Sequence, residues 1–142
     1  MIRPKSIALF ERCYLGGWAI GLINTAMMWS SWQSDPRIIQ AAEQIGTWYL
    51  PTTTAIGLLI PLVLWYFIAR RGSVVAKWIM VVLTALGVVG IAASLAMGTF
   101  PTGLAGIFGL VGVALNVTAA AMLFRPDAKA WFGETATQEP FK

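Results

Sequence analysis

Few side chains in this sequence could carry chemistry. It contains no histidine and a single cysteine, Cys13, which excludes a histidine–thiol catalytic pair, a histidine-held haem and a thiolate metal cluster. Of its 142 residues, 58% are hydrophobic and only 11% are charged, whereas about a quarter of the residues in a soluble domain are charged. We therefore predict no catalytic residue, no cofactor and no metal, and expect a protein that is not an enzyme.

Glu11 and Arg12 lie just inside the cytoplasmic end of the first long apolar stretch. Ionisable groups inside a membrane are candidates for function by default. One interpretation is that Glu11 binds a proton or a cation at the inner mouth of a pathway. The other is that it forms an ion-pair clamp with Arg70, Arg71 or Arg125 at the helix ends. We favour the clamp because no acidic residue lies deeper in the apolar stretches.

Asn24 and Asn116 are the deepest strongly polar residues. At ~1.5 Å per residue they lie at different depths, so we do not expect a direct bond between them. We expect each amide to bond a backbone group, a threonine or its counterpart in another copy, and so to hold helices together. The alternative interpretation is a site for a polar solute or a quinone.

The placement of the charges predicts the elements that carry these residues. Residues 13–29, 49–69, 78–97 and 103–124 contain no charge at all, and each window is close to the ~20 residues that a membrane-spanning helix needs. We predict an all-α integral membrane four-helix bundle with spans at 7–29, 49–69, 76–97 and 102–124. Residues 1–133 would form this single domain, and residues 134–142 a flexible cytoplasmic tail.

Basic residues predict the orientation of the spans. Nine of the ten Lys and Arg residues lie in the N-terminal segment, the loop between spans two and three, or the C-terminal tail, and only Arg37 lies on the other side. The positive-inside rule therefore places both termini in the cytoplasm. The basic excess follows from this topology, so no nucleic-acid partner is expected. Anionic lipid headgroups are expected to bind the cytoplasmic cluster of Arg70, Arg71, Lys77 and Arg125.

The loop between spans one and two contains the signals of a short helix. Asp35 is a good capping residue, Pro36 suits the first helical position, and Gly46 would end the helix. Apolar residues recur between them at helical spacing. We interpret this segment as an amphipathic helix lying on the outer membrane surface. The alternative is a lid over an external binding site.

Small residues follow one face of several spans. Such faces let helices approach closely, because lipid provides no hydrophobic drive between helices. They predict contacts among the four spans, between copies of the chain, or both. The residues expected to pack in this way are Gly17, Gly21, Gly87, Gly109 and Gly112.

Part of the sequence carries a family resemblance. The opening Arg3-Pro4-Lys5-Ser6-Ile7, followed by Phe10-Glu11 and by Gly21-Leu22-Ile23-Asn24, resembles the start of small four-span proteins of the bacterial inner membrane that have no defined activity. The resemblance implies a multi-pass protein of the bacterial cell membrane and implies no function.

Three functional hypotheses remain. We favour a non-enzymatic scaffold, an accessory subunit of a larger membrane complex, or a homo-oligomer, because small-residue faces are common and catalytic residue types are missing. The alternative is a small transporter or channel with a polar site around Glu11, Asn24 and Asn116. The third hypothesis is a protein that binds a lipid or a quinone.

Overall fold

The protein is an all-helical bundle without strands in residues 4–134, the part of the chain that the computed structural model describes. Four helices are long and apolar enough to span a membrane, as the charge-free windows predict. Two shorter helices lie between the first two spans and after the last. The six helices are α1 Lys5–Gln33, α2 Pro36–Ile45, α3 Tyr49–Arg71, α4 Val74–Ala96, α5 Leu104–Met122 and α6 Pro126–Trp131.

The helix ends have identifiable local causes. The Asp35 carboxylate accepts a hydrogen bond from the Arg37 backbone N–H at 2.8 Å and starts α2, whose cap at the other end is Gly46. Gly72 ends α3 in the left-handed region at φ 60°, where residues with a Cβ are strained. The Ser73 hydroxyl accepts from the Ala76 N–H and starts α4. The predicted short helix between the first two spans is therefore confirmed.

The four long helices form a closed ring. α1 packs against α5 and α3, and α4 packs against the same two neighbours. The most extensive contact joins α1 to α5, the first and last spans. Ser6 of α1 bonds Asp127 of α6, so both ends of the described chain meet at one end of the bundle, here called the terminal end. The opposite end, which carries α2, is called the loop end.

The packed core occupies the terminal end. Its centre combines Phe10 and Tyr14 of α1 with Ile68 of α3, Met80 of α4 and Leu123, which follows α5. Towards the loop end the helix faces are largely exposed to the surroundings, as expected for a bundle surrounded by lipid. The bundle is thus closed at one end and loosely filled along the rest of its length.

α6 closes the terminal end. The Asp127 carboxylate accepts hydrogen bonds from the backbone N–H and the hydroxyl of Ser6, in the first turn of α1. The Trp131 indole donates to the carbonyl of Ile68 in α3 at 3.0 Å. A Cβ on Gly72 would lie 2.8 Å from the Trp131 carbonyl oxygen. This short helix therefore ties the C-terminal part of the chain to both α1 and α3.

Candidate binding cavity

A cavity of about 560 Å³ lies between the four spans. On α1 its lining runs from Tyr14 to Trp32, about 27 Å at ~1.5 Å per residue. α3 lines it from Leu50 to Leu64, so the cavity is long and follows the bundle axis. Ligand pockets in proteins typically measure about 300–1,000 Å³, and this cavity falls within that range.

The packed core closes the cavity at the terminal end. Tyr14, Leu64 and Met80 line its inner boundary and are at most 7% exposed. Beyond them lie Phe10 and Ile68, both fully buried. The cavity therefore has a floor on this side, and the residues of its far end, such as Trp32, belong to the loop end.

Glycines create much of this space. A Cβ built on Gly21, Gly57 or Gly87 would have no atom within 4 Å, although all three residues line the cavity. The expectation that Gly21 and Gly87 pack against a neighbouring helix is therefore wrong within this chain. Their missing side chains widen the cavity, because the adjacent helices at this depth are too far apart to touch them.

Gly17 and Gly112 lie where α1 and α5 are close to each other. A Cβ on Gly17 would lie 3.3 Å from the Gly112 carbonyl oxygen and 3.4 Å from the Asn116 amide nitrogen. These two glycines let α1 and α5 approach closely. A Cβ on Gly109 would instead lie 4.0 Å from the nearest atom of the Phe100 ring, in the preceding turn.

Several polar side chains of the cavity lining donate to backbone carbonyls of the protein. The Trp18 indole donates to the Leu58 carbonyl at 2.9 Å. The Thr84 hydroxyl donates to Met80, and the Thr53 hydroxyl to Tyr49, both to carbonyls one turn earlier. Such bonds hide hydroxyl groups from the cavity. The lining is consequently more apolar in effect than its residue types suggest, and none of its residues is charged.

The two asparagines do not bond each other. The Asn116 amide nitrogen donates to the Gly112 carbonyl of its own helix at 3.0 Å, which is a backbone bond as expected. Asn116 lines the cavity, whereas Asn24 is not among the lining residues. The side-chain oxygen of Asn24 is buried and has no hydrogen-bond partner within residues 4–134. The structure thus separates the two residues that the sequence grouped together.

Glu11 meets one of its predicted partners. Its carboxylate lies 3.8 Å from the Arg70 guanidinium, with side-chain exposures of 19% and 52%. The pair joins α1 to the end of α3 at the terminal end, which is the clamp geometry. Neither Glu11 nor Arg12 lines the cavity. Arg12 is exposed, so the polar site predicted around Glu11, Asn24 and Asn116 is not brought together.

Lys77 does not join the predicted headgroup cluster. Its side chain is 2% exposed and bonds Glu134, which follows α6. Its ammonium nitrogen lies 4.8 Å from the ring centre of Phe132 and 5.1 Å from that of Phe124. A buried, paired lysine cannot reach lipid headgroups, so this prediction is wrong for Lys77. Arg70, Arg71 and Arg125 are exposed, and headgroup binding there stays a prediction.

Glu134 lies at the predicted boundary between the bundle and the tail. Its bond to Lys77 attaches the first residue of that tail to α4. The remaining tail residues, 135–142, lie outside the described part of the chain.

Sequence reasoning missed most of the cavity lining. Tyr14, Trp18, Gly21 and Thr25 are spaced by four, three and four residues, which places them on one helix face. In α3, Thr53 and Gly57 also line the cavity and are also spaced by four residues. Small residues that face one another are compatible with close helix packing and with an internal cavity. Which of the two forms depends on the distance between the helices, and this distance cannot be predicted from the sequence.

In comparisons with known proteins, no family model, curated protein or solved structure matches this chain.

Proposed function

We propose that this protein is a multi-pass membrane protein that binds one lipid-like molecule, with its hydrocarbon chain in the cavity between the four spans. The observation that supports this proposal is a long cavity that is walled by unfilled glycine positions and has no charged residue in its lining. Hydrocarbon chains of the surrounding bilayer are available to occupy a void of this size.

The lining favours a hydrocarbon over an ion or a polar solute. Ions need charged groups to replace their hydration. The cavity lining contains no charged residue, and Trp18, Thr53 and Thr84 each donate to a backbone carbonyl. The transporter alternative needs a continuous polar path, and this cavity does not provide one.

The floor of the cavity favours binding over passage. A molecule that enters from the loop end meets Tyr14, Leu64 and Met80, and behind them the packed core. Binding without chemistry agrees with the residue types of the chain. A role as an accessory subunit or a homo-oligomer stays a prediction and is compatible with a bound lipid.

The proposed location is the cell membrane of a bacterium, with the terminal end in the cytoplasm. The asymmetry of nine basic residues to one supports this orientation. The cavity would then open towards the outer leaflet, and its ligand would come from that leaflet.

Filling the cavity tests the proposal. Gly57→Leu adds a side chain where no atom lies within 4 Å of a Cβ, so the leucine occupies the cavity without displacing a neighbouring helix. The purified protein in nanodiscs is irradiated with a single-chain hydrocarbon probe bearing a diazirine, and labelled peptides are quantified by mass spectrometry. We expect labelling of α1 and α3 cavity residues to fall by about tenfold, the size of a typical overpacking cost.

Gly90→Leu is the matched control. Gly90 also has open space around it and lies in a membrane span, but it does not line the cavity. Its labelling should equal that of the wild type, and Gly21→Leu should repeat the loss. Equal labelling in all four proteins contradicts the proposal. If Gly57→Leu instead dissociates an oligomer or a co-purified subunit, a protein helix fills the cavity and the scaffold hypothesis replaces this one.

A further inference from the structure

Tyr14 lines the cavity with a nearly buried side chain. Its side chain is 5% exposed and lies at the closed end of the cavity. Its ring stacks on Phe10, with ring centres 5.2 Å apart and planes inclined by 26°. No residue in the described part of the chain bonds its hydroxyl. Packing holds the ring in place, and the hydroxyl is available to bond a molecule in the cavity.

A hydroxyl without a protein partner is unusual on a side chain as buried as that of Tyr14. Removing such a group from water without a replacement bond costs about 1–3 kcal/mol by protein mutational data, and most buried polar side-chain atoms are bonded. The side chains of Trp18, Thr53 and Thr84 show the usual solution, since each bonds a carbonyl. For Tyr14 the remaining source of a partner is the content of the cavity.

Asn116 provides an acceptor near the same level. Its amide nitrogen donates to Gly112, so the side-chain oxygen is the part left over. Counted from the helix ends at the terminal end, Tyr14 lies about 14 Å along α1 and Asn116 about 9 Å along α5. A Cβ on Gly17, one turn from Tyr14, would lie 3.4 Å from the Asn116 amide nitrogen. Tyr14 and Asn116 thus both line the cavity, about one helical turn apart.

The absence of charge in the lining limits the head group. A carboxylate or phosphate would need a buried cation, and an ammonium group would need a buried carboxylate. The lining contains neither. A hydroxyl or carbonyl oxygen needs only hydrogen-bonding groups such as those of Tyr14 and Asn116.

We propose that the floor of the cavity is a subsite for a neutral, oxygen-bearing head group, an alcohol or a carbonyl. The ligand is then a single-chain molecule whose head lies at Tyr14 and whose tail extends towards the loop end. This inference rests on the proposed function and adds the chemical class and direction of the ligand.

Matched probes test the head group. Three diazirine probes share one hydrocarbon chain and end in a methyl, a hydroxyl or a carboxylate group, and apparent Kd is measured in nanodiscs by titrated photolabelling. The wild type should bind the alcohol about tenfold more tightly than the methyl-ended probe, as one buried hydrogen bond allows. Tyr14→Phe keeps the stacked ring, so it should remove this preference, and it should not weaken binding of the methyl-ended probe, which cannot bond the hydroxyl.

Tyr66→Phe is the control variant. Tyr66 lies in α3 at 44% exposure and does not line the cavity, so its loss of a hydroxyl should change no Kd. Retained binding of the methyl-ended probe by Tyr14→Phe also shows that this variant is folded. If that probe fails to bind, Tyr14→Leu is assayed for the same methyl-ended chain, and its binding restores the comparison.

The outcomes separate the two proposals. Equal Kd values for the alcohol and the methyl-ended probe in the wild type show that water serves the Tyr14 hydroxyl, and they overturn this inference alone. Tighter binding of the carboxylate than of the alcohol overturns it as well. Failure of the wild type to bind any of the three probes overturns the proposed function itself.

Discussion

Lys77 shows how burial changes the role of a charged residue. Counted along the sequence, it belongs to a basic loop that should face lipid headgroups. In the structure three aromatic rings, of Trp78, Phe124 and Phe132, lie within 5.8 Å of its ammonium group, and Glu134 neutralises it. Cations are stabilised over aromatic faces, most of all where water is excluded. Lys77 therefore holds α4 to the segment after α6.

Removing the Glu134 carboxylate should destabilise the protein, because the Lys77 ammonium group is buried. Glu134→Gln leaves the ammonium group buried without a counter-charge, so we expect the free energy of unfolding to fall by about 2–3 kcal/mol, between the values of exposed and fully buried ion pairs. Unfolding in mixed micelles measures the change. Adding Lys77→Met to Glu134→Gln should recover most of the loss. Lys129→Met, at an exposed position of α6, is the control and should have almost no effect.

A double variant as unstable as Glu134→Gln alone would contradict this account. The loss would then come from packing of the chain end and not from an unpaired charge. The cycle of both single variants and the double variant separates the two causes.

At the scale of helices, α6 is a six-residue element that connects distant parts of the bundle. It is too short to be stable alone, and its contacts with Ser6 and Ile68 explain why it forms. The hydroxyl and the backbone N–H of Ser6, in that order of importance, hold the pKa of the Asp127 carboxyl below its usual value.

This pKa direction predicts a pH dependence. Because the carboxylate is favoured in the folded protein, its stabilising effect is fully present above the ordinary aspartate pKa of 3.8 and is lost as pH falls through the lower folded pKa. We expect Asp127→Asn to have a lower melting temperature than the wild type by a constant amount above about pH 5, with a smaller difference below about pH 4.

Ser6→Ala tests whether this effect acts through α1. In the Asp127→Asn background it should add little, because both changes remove the same interaction. A difference that stays constant down to pH 2, or full additivity of the two changes, would show that Asp127 stabilises the bundle by another route.

The long helices were predictable and their separation was not. The charge-free windows locate α1, α3, α4 and α5, since a hydrophobic span leaves a direct mark in composition. Asp35, Pro36 and Gly46 locate α2 because caps act within a few residues. Whether a glycine face meets a neighbour depends on distances between helix axes, which no local pattern records.

The same limit applies to the candidate site. Gly17 and Gly21 lie one turn apart on α1, yet only Gly17 contacts α5. The partners of Lys77 come from segments far along the chain. The sequence around Tyr14 resembles that around any aromatic residue near a helix end. Its role could not be predicted because the unbonded hydroxyl is seen only in the folded structure.

At the scale of the whole molecule, the orientation can be tested with the single native cysteine removed. In a Cys13→Ala background, Gln40→Cys reports on α2 and Lys129→Cys on α6, and both positions are exposed. We expect a membrane-impermeant maleimide added to intact cells to label Gln40→Cys alone, because the basic residues keep the terminal end inside. Labelling of Lys129→Cys alone would mean the opposite orientation, with the cavity open to the cytoplasm.

The bond between Ser6 and Asp127 joins residues 121 positions apart. At ~5–20 residues per second, a ribosome needs roughly ten seconds to make the intervening chain. During that time α1 is already in the bilayer without its largest partner, α5, and without the helix that closes its end. The terminal end therefore cannot close until α6 has been made. A chain truncated after residue 125 keeps all four spans but lacks α6, and we expect it to be degraded faster than the full chain.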